Sequence, residues 1–163
     1  MTARPATLAD SAFLLRLRND AATVAAARRQ QLVRVDEHAA WLMNSTINPT
    51  RALMVVTRRG RRLGTYRLDG LGSAAVELGL TVAPEWRGRG LAREVIALAV
   101  RHARRHGYAG AALIAQVRVE NRSSLIAFLH NGFVPDAILK GFVLLKGGGA
   151  MAKKKPKPKP KPY

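Results

Sequence analysis

A glycine-rich turn between a strand-like and a helix-like segment is the part of this chain best suited to chemistry. Residues 82–92 read VAPEWRGRGLA, and Gly88 and Gly90 lie just before the helix-like part. Glycine lets a backbone approach a ligand closely, and the free N–H groups of a first helical turn add donors and a positive dipole. The segment therefore predicts a cradle for an anion such as a pyrophosphate. It lacks the Gly-Lys-Ser/Thr end of a P-loop, and the third glycine and acidic residue of a dinucleotide fingerprint.

Side chains that bind metals or act as thiol nucleophiles are scarce. The chain has no cysteine, which excludes disulfides, a thiol nucleophile and thiolate metal sites. Its four histidines form no metal-binding motif. His102 and His106 are four residues apart on a predicted helix, but no carboxylate nearby would complete a site, so we expect them on a solvated face. We predict no metal cofactor.

Positive charge is the most unusual bulk property of the sequence. The 163 residues include 28 Lys and Arg against 10 Asp and Glu, a net charge of +18. Six of the lysines lie in the segment 153–161, so the remainder still carries +12. Such a field attracts anionic ligands, including nucleotides and nucleic acid. The alternative interpretation is that the charge keeps the protein soluble and reflects an arginine-rich proteome. Because no apolar run would span a bilayer and no secretory signal is evident, we expect a cytoplasmic protein without membrane contact.

Periodicity and turn signals predict one α/β domain followed by a tail. The helix-like segments are 8–19, 21–30, a third from about 36, 91–107 and 123–130. The strand-like segments are 52–57, 63–68, 75–82, 111–117 and two short ones near 133 and 141–145. This order suits a three-layer sandwich with a mixed sheet. We place the domain at residues 1–146 and interpret 147–163 as a glycine hinge and a disordered tail of alternating Lys and Pro.

Two blocks of sequence resemble the signature of the GNAT N-acetyltransferases. RGRGLA, at residues 87–92, matches the family pattern [Arg/Gln]-x-x-Gly-x-[Gly/Ala]. NRSSLIAFLHNGF, at residues 121–133, is similar to the family segment N-x-x-[Ala/Ser]-x-x-[Leu]-[Tyr/Phe]-x-x-x-Gly-Phe. The resemblance extends over residues 4–145. It implies a GNAT-type α/β sandwich with a mixed, mostly antiparallel central sheet and helices on both faces, and an acetyl-CoA-dependent N-acetyltransferase activity.

By this resemblance, acetyl-CoA is the co-substrate and the glycine-rich turn holds its pyrophosphate through backbone N–H groups. The main chains of Leu80 and Val82 are expected to pair with the pantetheine arm where two strands splay apart. Asn121, whose amide both donates and accepts, is expected to hold the arm from the other side, and it also suits a helix N-cap. The predicted cofactor-binding residues are Leu80, Val82, Arg87, Gly88, Arg89, Gly90, Leu91, Ala92, Asn121 and Phe128.

The resemblance also implies direct attack of an amine on the thioester, which requires a proton acceptor and a proton donor. Glu77, on the strand that leads to the turn, is the candidate base, with a salt-bridged strand residue as the alternative interpretation. Phe128 stands where many family members have a tyrosine acid, so the usual donor is missing. Tyr66, His130 or water is then expected to supply the proton, and a histidine at a helix end also suits a favourable dipole contact.

Short segments of the N-terminal half resemble acetyltransferases that modify the 4-amino group of nucleotide-linked sugars. They are LRND at 17–20, DEHAAWL at 36–42, GTYRLD at 64–69 and PE at 84–85. In such enzymes the first helices line the acceptor pocket, and here they carry Arg16, Arg18, Arg28 and Arg29, which suit a nucleotide diphosphate. An amine on a nucleic-acid base is the second hypothesis, and an inactive GNAT fold that serves as a basic binding module is the third. Monomer and homodimer both stay open.

Overall fold

Five α-helices and seven strands form in the computed structural model, which describes residues 1–106 and 112–147. The helices are α1 (Ser11–Asn19), α2 (Ala21–Ala26), α3 (Val35–Ile47), α4 (Leu91–Arg105) and α5 (Arg122–His130). The strands are β1 (Thr2–Pro5), β2 (Arg51–Arg58), β3 (Arg61–Asp69), β4 (Ala75–Val82), β5 (Ala112–Arg118), β6 (Val134–Leu139) and β7 (Phe142–Gly147). Short 3₁₀ turns at Leu8–Asp10 and Pro84–Trp86 precede α1 and the glycine-rich turn.

All seven strands join one sheet in the spatial order β1-β2-β3-β4-β5-β7-β6. Neighbours are antiparallel except β4 and β5, which run parallel. The parallel contact is short and joins residues 75–77 to residues 112–114. Beyond Glu77, β4 continues to Val82 with β3 as its only partner strand among the described residues. The two central strands therefore splay apart, and a gap opens beside the second half of β4.

Helices cover both faces of the sheet and create two buried clusters. On one face α4 presents Val95, Ile96, Ala99 and Ala103 at helical spacing, and they pack with strand residues such as Leu78. The cluster on the other face joins α1 and α3 to β2. Its buried members are Ala6, Phe13, Leu14, Leu17, Leu42, Leu53, Val55 and Ala83. Because each buried leucine or valine stabilises the fold by about 1.5–3 kcal/mol, both faces need their helices. The predicted three-layer sandwich with a mixed, mostly antiparallel sheet is confirmed.

The sequence prediction omits β1 (Thr2–Pro5), an edge strand beside β2. Only Ala3 of this strand is half-buried, and the strand ends at a proline, so it has no alternating apolar pattern. Edge strands accept proline because one side of their hydrogen-bond ladder is unused. Pairing with β2, rather than a local signal, creates this strand.

Helix α2 ends at Ala26, earlier than the predicted end at residue 30. The carbonyl groups that follow accept hydrogen bonds from distant arginines instead of continuing the helix. Arg118 donates to Ala27 O at 2.9 and 3.2 Å, and Arg18 donates to Arg29 O at 3.0 Å. The segment after α2 is therefore held by side chains of β5 and α1.

Gly147, predicted as the start of a hinge, is instead the last residue of β7 and pairs with Leu113. A Cβ at this position would lie 2.6 Å from the Phe133 ring, so close packing and not flexibility requires glycine. The remaining predicted tail, residues 148–163, lies outside the described residues, as does the predicted boundary near 107–111. In the described ranges, no helix has both the length and the apolar character that crossing a bilayer requires.

Candidate functional site

The gap beside β4 opens into a space of about 850 Å³, which we call the long groove. Its walls are the second half of β4, the glycine-rich turn, the first residues of α4 and α5, and residues of α2. The predicted cofactor-binding residues that line it are Leu80, Val82, Arg87, Gly88, Gly90, Leu91, Ala92 and Asn121. One continuous surface therefore collects most of the residues that the two sequence blocks indicated.

The turn between β4 and α4 is shaped to bind an anion through its backbone. Gly88 and Gly90 have left-handed φ angles of 72° and 73°, and a Cβ on either would meet no atom within 4 Å. The N–H of Arg87 donates to Pro84 O and the N–H of Arg93 donates to Gly90 O. The five N–H groups between them take part in none of the loop and turn backbone hydrogen bonds of the described residues. These donors, together with the dipole of α4, fit a pyrophosphate.

Arg87, the arginine of the signature, binds the protein itself. Its guanidinium donates to Val82 O at 3.1 Å and to Thr23 Oγ1 at 3.2 Å, and it lies 2.7 Å from an Asp20 carboxylate oxygen. The hydrogen bond from Arg87 lowers the pKa of Asp20, so this carboxylate is charged at neutral pH. Asp20 also caps α2 by accepting from the Thr23 N–H at 3.1 Å. Arg87 therefore ties the start of α2 to the end of β4.

Asn121 lines the long groove and is also the N-cap of α5. Its Oδ1 accepts from the Ser124 N–H at 3.2 Å and from Ser123 Oγ at 3.1 Å. Its Nδ2 group takes part in none of the hydrogen bonds among the described residues, so it is available to donate to a ligand. The amide thus has one atom for the helix and one for the groove.

Two predicted cofactor-binding residues do not line the long groove. Phe128 is 2% exposed, and its ring packs edge-on against Phe133 with centroids 4.9 Å apart. Its neighbour Ala127 lines the groove instead, because successive residues of a helix point in directions about 100° apart. Arg89 is exposed, with its guanidinium 5.1 Å from the centroid of the Trp86 ring.

A second space of about 440 Å³, the inner cavity, lies between the sheet and helices α1, α2 and α3. Leucines of α1 and the ring of Trp41 form apolar parts of its wall. It shares Thr23, Ala26, Leu80 and Thr81 with the long groove. The two spaces therefore adjoin beside β4, where the sheet is split.

The charge around the inner cavity is mainly positive. Arg18, Arg29 and Arg67 line it, against one carboxylate among the lining residues, that of Glu37. Arg67 also forms an ion pair with Asp69, so its charge is partly compensated. Arg18 and Arg29 are the members of this set that sequence reasoning named as substrate-binding.

The other two arginines predicted to bind substrate are engaged elsewhere. Arg16 lies 3.0 Å from the Glu85 carboxylate, with both side chains about half exposed. Arg28 forms an ion pair with Glu77. Neither arginine lines the inner cavity or the long groove.

Glu77, the predicted base, is the last residue of β4 that pairs with β5. Its side chain is 27% exposed and its carboxylate contacts the guanidinium of Arg28. It lies two positions before Gly79, which lines the inner cavity, but Glu77 itself lines neither space. This geometry agrees with the alternative interpretation of Glu77 as a salt-bridged strand residue. A role as base requires the ion pair with Arg28 to open.

The predicted proton donors Tyr66 and His130 also lie outside both spaces. Tyr66 is buried among the residues packed with α4, with its hydroxyl 2.6 Å from His102 Nδ1, and burial raises its pKa to about 12. His102 is therefore hydrogen-bonded to the core and is not on the plain solvated face that we predicted for it and His106. His130 is exposed at the end of α5 and donates from Nδ1 to Ile126 O at 2.9 Å.

Sequence reasoning missed His38 as a residue of the inner cavity. It is 2% exposed, lies in the first turn of α3, and its Nδ1 has no hydrogen-bond partner. Burial, and then the positive charge of Arg18, lower the pKa of His38, so the ring is neutral at pH 7. The spacing of His38, Leu42 and Ser45 in the sequence could have indicated that they share one face of a helix. In the structure these three are the buried residues of α3.

A sequence model described as the acetyltransferase (GNAT) domain matches residues 1–134, and this chain belongs to that family. A ribosomal-protein-alanine N-acetyltransferase from Brucella melitensis is 25% identical, with a TM-score of 0.73 over 90% of this chain and 99% of that chain. A Salmonella typhimurium protein determined with its cofactor acetyl-CoA is also 25% identical, with a TM-score of 0.70 over 90% of both chains. The spermidine N-acetyltransferase from Vibrio cholerae, in complex with CoA and spermine, is 18% identical, with a TM-score of 0.77 over 89% and 92%. No curated protein sequence matches.

The chain is therefore an acetyl-CoA-dependent N-acetyltransferase of the GNAT type. The long groove suits this co-substrate because its turn offers free N–H groups to a pyrophosphate and no side chain fills the positions of Gly88 and Gly90. These findings favour an enzyme over the inactive basic binding module.

Proposed function

We propose that this enzyme acetylates a primary amine on an anionic acceptor, and that the acceptor is an amino-sugar nucleotide. The observation that carries the proposal is the positive charge of the inner cavity. Arg18 and Arg29 are among its lining residues, whereas Glu37 is the one carboxylate among them. Arginine binds phosphate and carboxylate oxygens through two coplanar donors. An acceptor with both an amine and a phosphate group would be attracted into this cavity.

The same charge argues against polycationic acceptors. The Vibrio cholerae relative is named for spermidine and was determined with spermine. A polyamine at neutral pH carries several ammonium groups, and each would be repelled by Arg18 and Arg29 in a partly desolvated space. We therefore expect polyamines to be poor acceptors for this chain.

Binding of the co-substrate falls to the long groove in this proposal. The N–H groups of residues 88–92 bind the pyrophosphate, the main chains of Leu80 and Val82 pair with the pantetheine arm, and Asn121 donates to it from Nδ2. Acetyl-CoA supplies an acetyl group activated as a thioester. The acceptor amine is held where the two spaces meet, beside Leu80 and Thr81, so that it lies next to that carbonyl.

Proton transfer is the second task of the chain. Glu77 precedes Leu80 and Thr81 on β4, and we infer that its carboxylate takes the proton of the acceptor ammonium through water once Arg28 moves away. Phe128 is in the core, and neither Tyr66 nor His130 lines the groove. When the C–S bond breaks, a water molecule therefore passes the second proton of the amine nitrogen to the thiolate that leaves.

An amine on nucleic acid is the second candidate acceptor, favoured by the +12 charge outside the tail. The six lysines of the segment 153–161 add further positive charge, which suits a polyanion. Phosphate contacts of this kind make binding strongly dependent on salt. The tail thus separates the two hypotheses.

The test is an acceptor screen that follows release of coenzyme A. It compares a UDP-linked 4-amino sugar, aminated nucleic acid and N-terminal peptides, using the full chain and a variant that ends at Gly147. We expect turnover with the sugar nucleotide and unchanged kinetics after truncation. A raised KM for nucleic acid and a flatter salt dependence after truncation would favour the second hypothesis, and no release with any acceptor would overturn the proposal.

A further inference from the structure

Two residues that line the inner cavity each have a buried side-chain nitrogen with no hydrogen-bond partner. These atoms are His38 Nδ1 and Arg18 Nη1, and no other buried side-chain nitrogen or oxygen in the described part of the chain is left without one. The two residues come from different helices, α3 and α1, and line the same space. Because buried polar groups are almost always hydrogen-bonded in native proteins, unpaired nitrogens on two residues of one cavity wall indicate that a ligand pairs with them there.

The chemistry of the two side chains limits what that ligand can be. Arg18 Nη2 donates to Arg29 O at 3.0 Å, which holds the guanidinium in position and leaves Nη1 free. Arginine has donors only, so Nη1 requires an acceptor atom. A neutral histidine donates from Nδ1 in one of its two tautomers. An oxyanion accepts from both groups, and the surplus of arginine around the cavity favours negative charge.

We propose that Arg18 Nη1 and His38 Nδ1 form an oxyanion-binding subsite that anchors the acceptor and selects for a phosphate or carboxylate group on it. The assignment of this anion to the acceptor rests on the proposed function. Trp41, whose ring centroid is 5.3 Å from that of His38, provides a flat apolar wall beside the subsite. A planar or puckered ring attached to the anion would pack there.

The first test separates a ligand subsite from a structural role. His38→Phe keeps an aromatic ring and removes a buried polar atom that has no partner in the free protein. We expect the melting temperature to stay the same or rise, while the KM for the anionic acceptor rises about tenfold or more, as loss of a hydrogen bond to a charged group implies. If the melting temperature and the activity both fall, His38 has a structural role and the proposal is overturned.

The second test compares matched acceptors in steady-state kinetics. One pair is a UDP-linked 4-amino sugar and the same sugar without the nucleotide, and the other is an amino acid and its amide. We expect Arg18→Met to raise the KM for the anionic member of one pair about tenfold or more and to leave its neutral member unchanged. The pair that responds identifies phosphate or carboxylate as the source of the anion. Equal effects on both members of each pair would overturn the proposal.

Arg34→Met is the matched control for these variants. Arg34 lies next to the start of α3, its side chain is 82% exposed, and it lines neither space. This variant removes the same charge close to His38 in the chain. We expect it to keep the preference for the anionic acceptor, and loss of that preference would show that general charge, not a subsite, is responsible.

The third test does not depend on turnover. Inorganic phosphate and acetate are titrated separately into protein saturated with coenzyme A, and the His38 ring is followed by NMR. We expect one of the anions to shift the His38 signals in the wild type and in Arg34→Met, but not in Arg18→Met. A shift without acetylation of any acceptor would sink the proposed function and keep the subsite. Acetylation without a shift from either anion would sink the subsite alone.

Discussion

The long groove and the inner cavity meet at β4, but they are built from different kinds of atoms. The anion-binding part of the groove is contiguous, uses backbone N–H groups and depends on the φ angles of Gly88 and Gly90. The polar wall of the cavity consists of side chains such as Arg18, Arg29 and His38, which come from three separate segments. Binding by backbone N–H groups persists when nearby side chains are substituted. Binding by the cavity depends on each polar side chain, and each can be removed by one substitution. Changes to the two regions should therefore have separable effects on co-substrate and acceptor.

The largest effect is expected from Gly90→Val in the groove. No atom lies within 4 Å of a Cβ at this position, so the variant fails through backbone conformation and not through a clash. A β-branched residue disfavours φ near 73°, and the turn would have to change shape, which would turn its N–H groups away from the pyrophosphate. We expect acetyl-CoA binding to become undetectable by calorimetry.

Gly60→Val is the matched control for that variant. Gly60 has a φ of 75° and equally open surroundings, but it lies in the turn between β2 and β3. It should carry the same backbone strain and keep its affinity for acetyl-CoA. Unchanged affinity in folded Gly90→Val would mean that the cradle lies elsewhere.

Glu77→Gln is expected to have the next largest effect, on proton transfer. We expect kcat to fall about 10²-fold, with little change in acetyl-CoA affinity, because a positioned base contributes about that much. Arg28→Met breaks the same ion pair and keeps the carboxylate, so it should retain most of kcat. Equal losses in the two variants, or a loss for Glu77→Gln below about threefold between roughly pH 6 and 9, would assign proton transfer to another group.

Arg87→Met tests the contact between the two regions. Because Arg87 holds the start of α2 through Thr23 and Asp20, its loss should displace the wall that the groove shares with the cavity. We expect the KM for the acceptor to rise about tenfold and the affinity for acetyl-CoA to change less. Arg58→Met, which breaks an ion pair with Glu94 away from both spaces, serves as the control. A larger loss for acetyl-CoA than for the acceptor would assign the Arg87 side chain to the co-substrate.

The smallest expected effect is the loss, at low pH, of the contribution that Asp20 makes to the free energy of unfolding. The pKa of this carboxyl is lowered in the folded protein, first by the hydrogen bond from Arg87. Its contribution to the free energy of unfolding is therefore complete above the ordinary pKa of about 3.9 and disappears as the pH falls through the lower folded value. Asp20→Asn keeps a good N-cap and removes the charge. Urea unfolding should show a difference of about 1 kcal/mol or less at neutral pH. This difference should vanish as the pH falls through the lowered pKa of Asp20, and a difference independent of pH would contradict this account.

Local sequence was sufficient to predict an element where adjacent residues alone determine its bounds. The predicted strand at 75–82 is β4 (Ala75–Val82), and the predicted helix start at residue 91 is the start of α4. The anion-binding turn lies between them for the same reason, because two glycines and a helix start are adjacent in the chain. The end of α2 was not predictable in this way, since the carbonyls of Ala27 and Arg29 that follow it accept hydrogen bonds from Arg118 and Arg18 of other elements.

The sequence by itself determined the order of the elements from α1 onward, the glycine-rich turn and, through the resemblance of two sequence blocks, the family. Only the tertiary structure decided which polar side chains reach the cavity. Arg16 and Arg28 have the same chemistry as Arg18, but they meet carboxylates 69 and 49 residues away in the chain. Phe128 likewise faces the core and not the groove because α5 packs its ring against Phe133. Such choices depend on long-range packing, which sets the direction of each side chain and leaves no mark in the residues next to it.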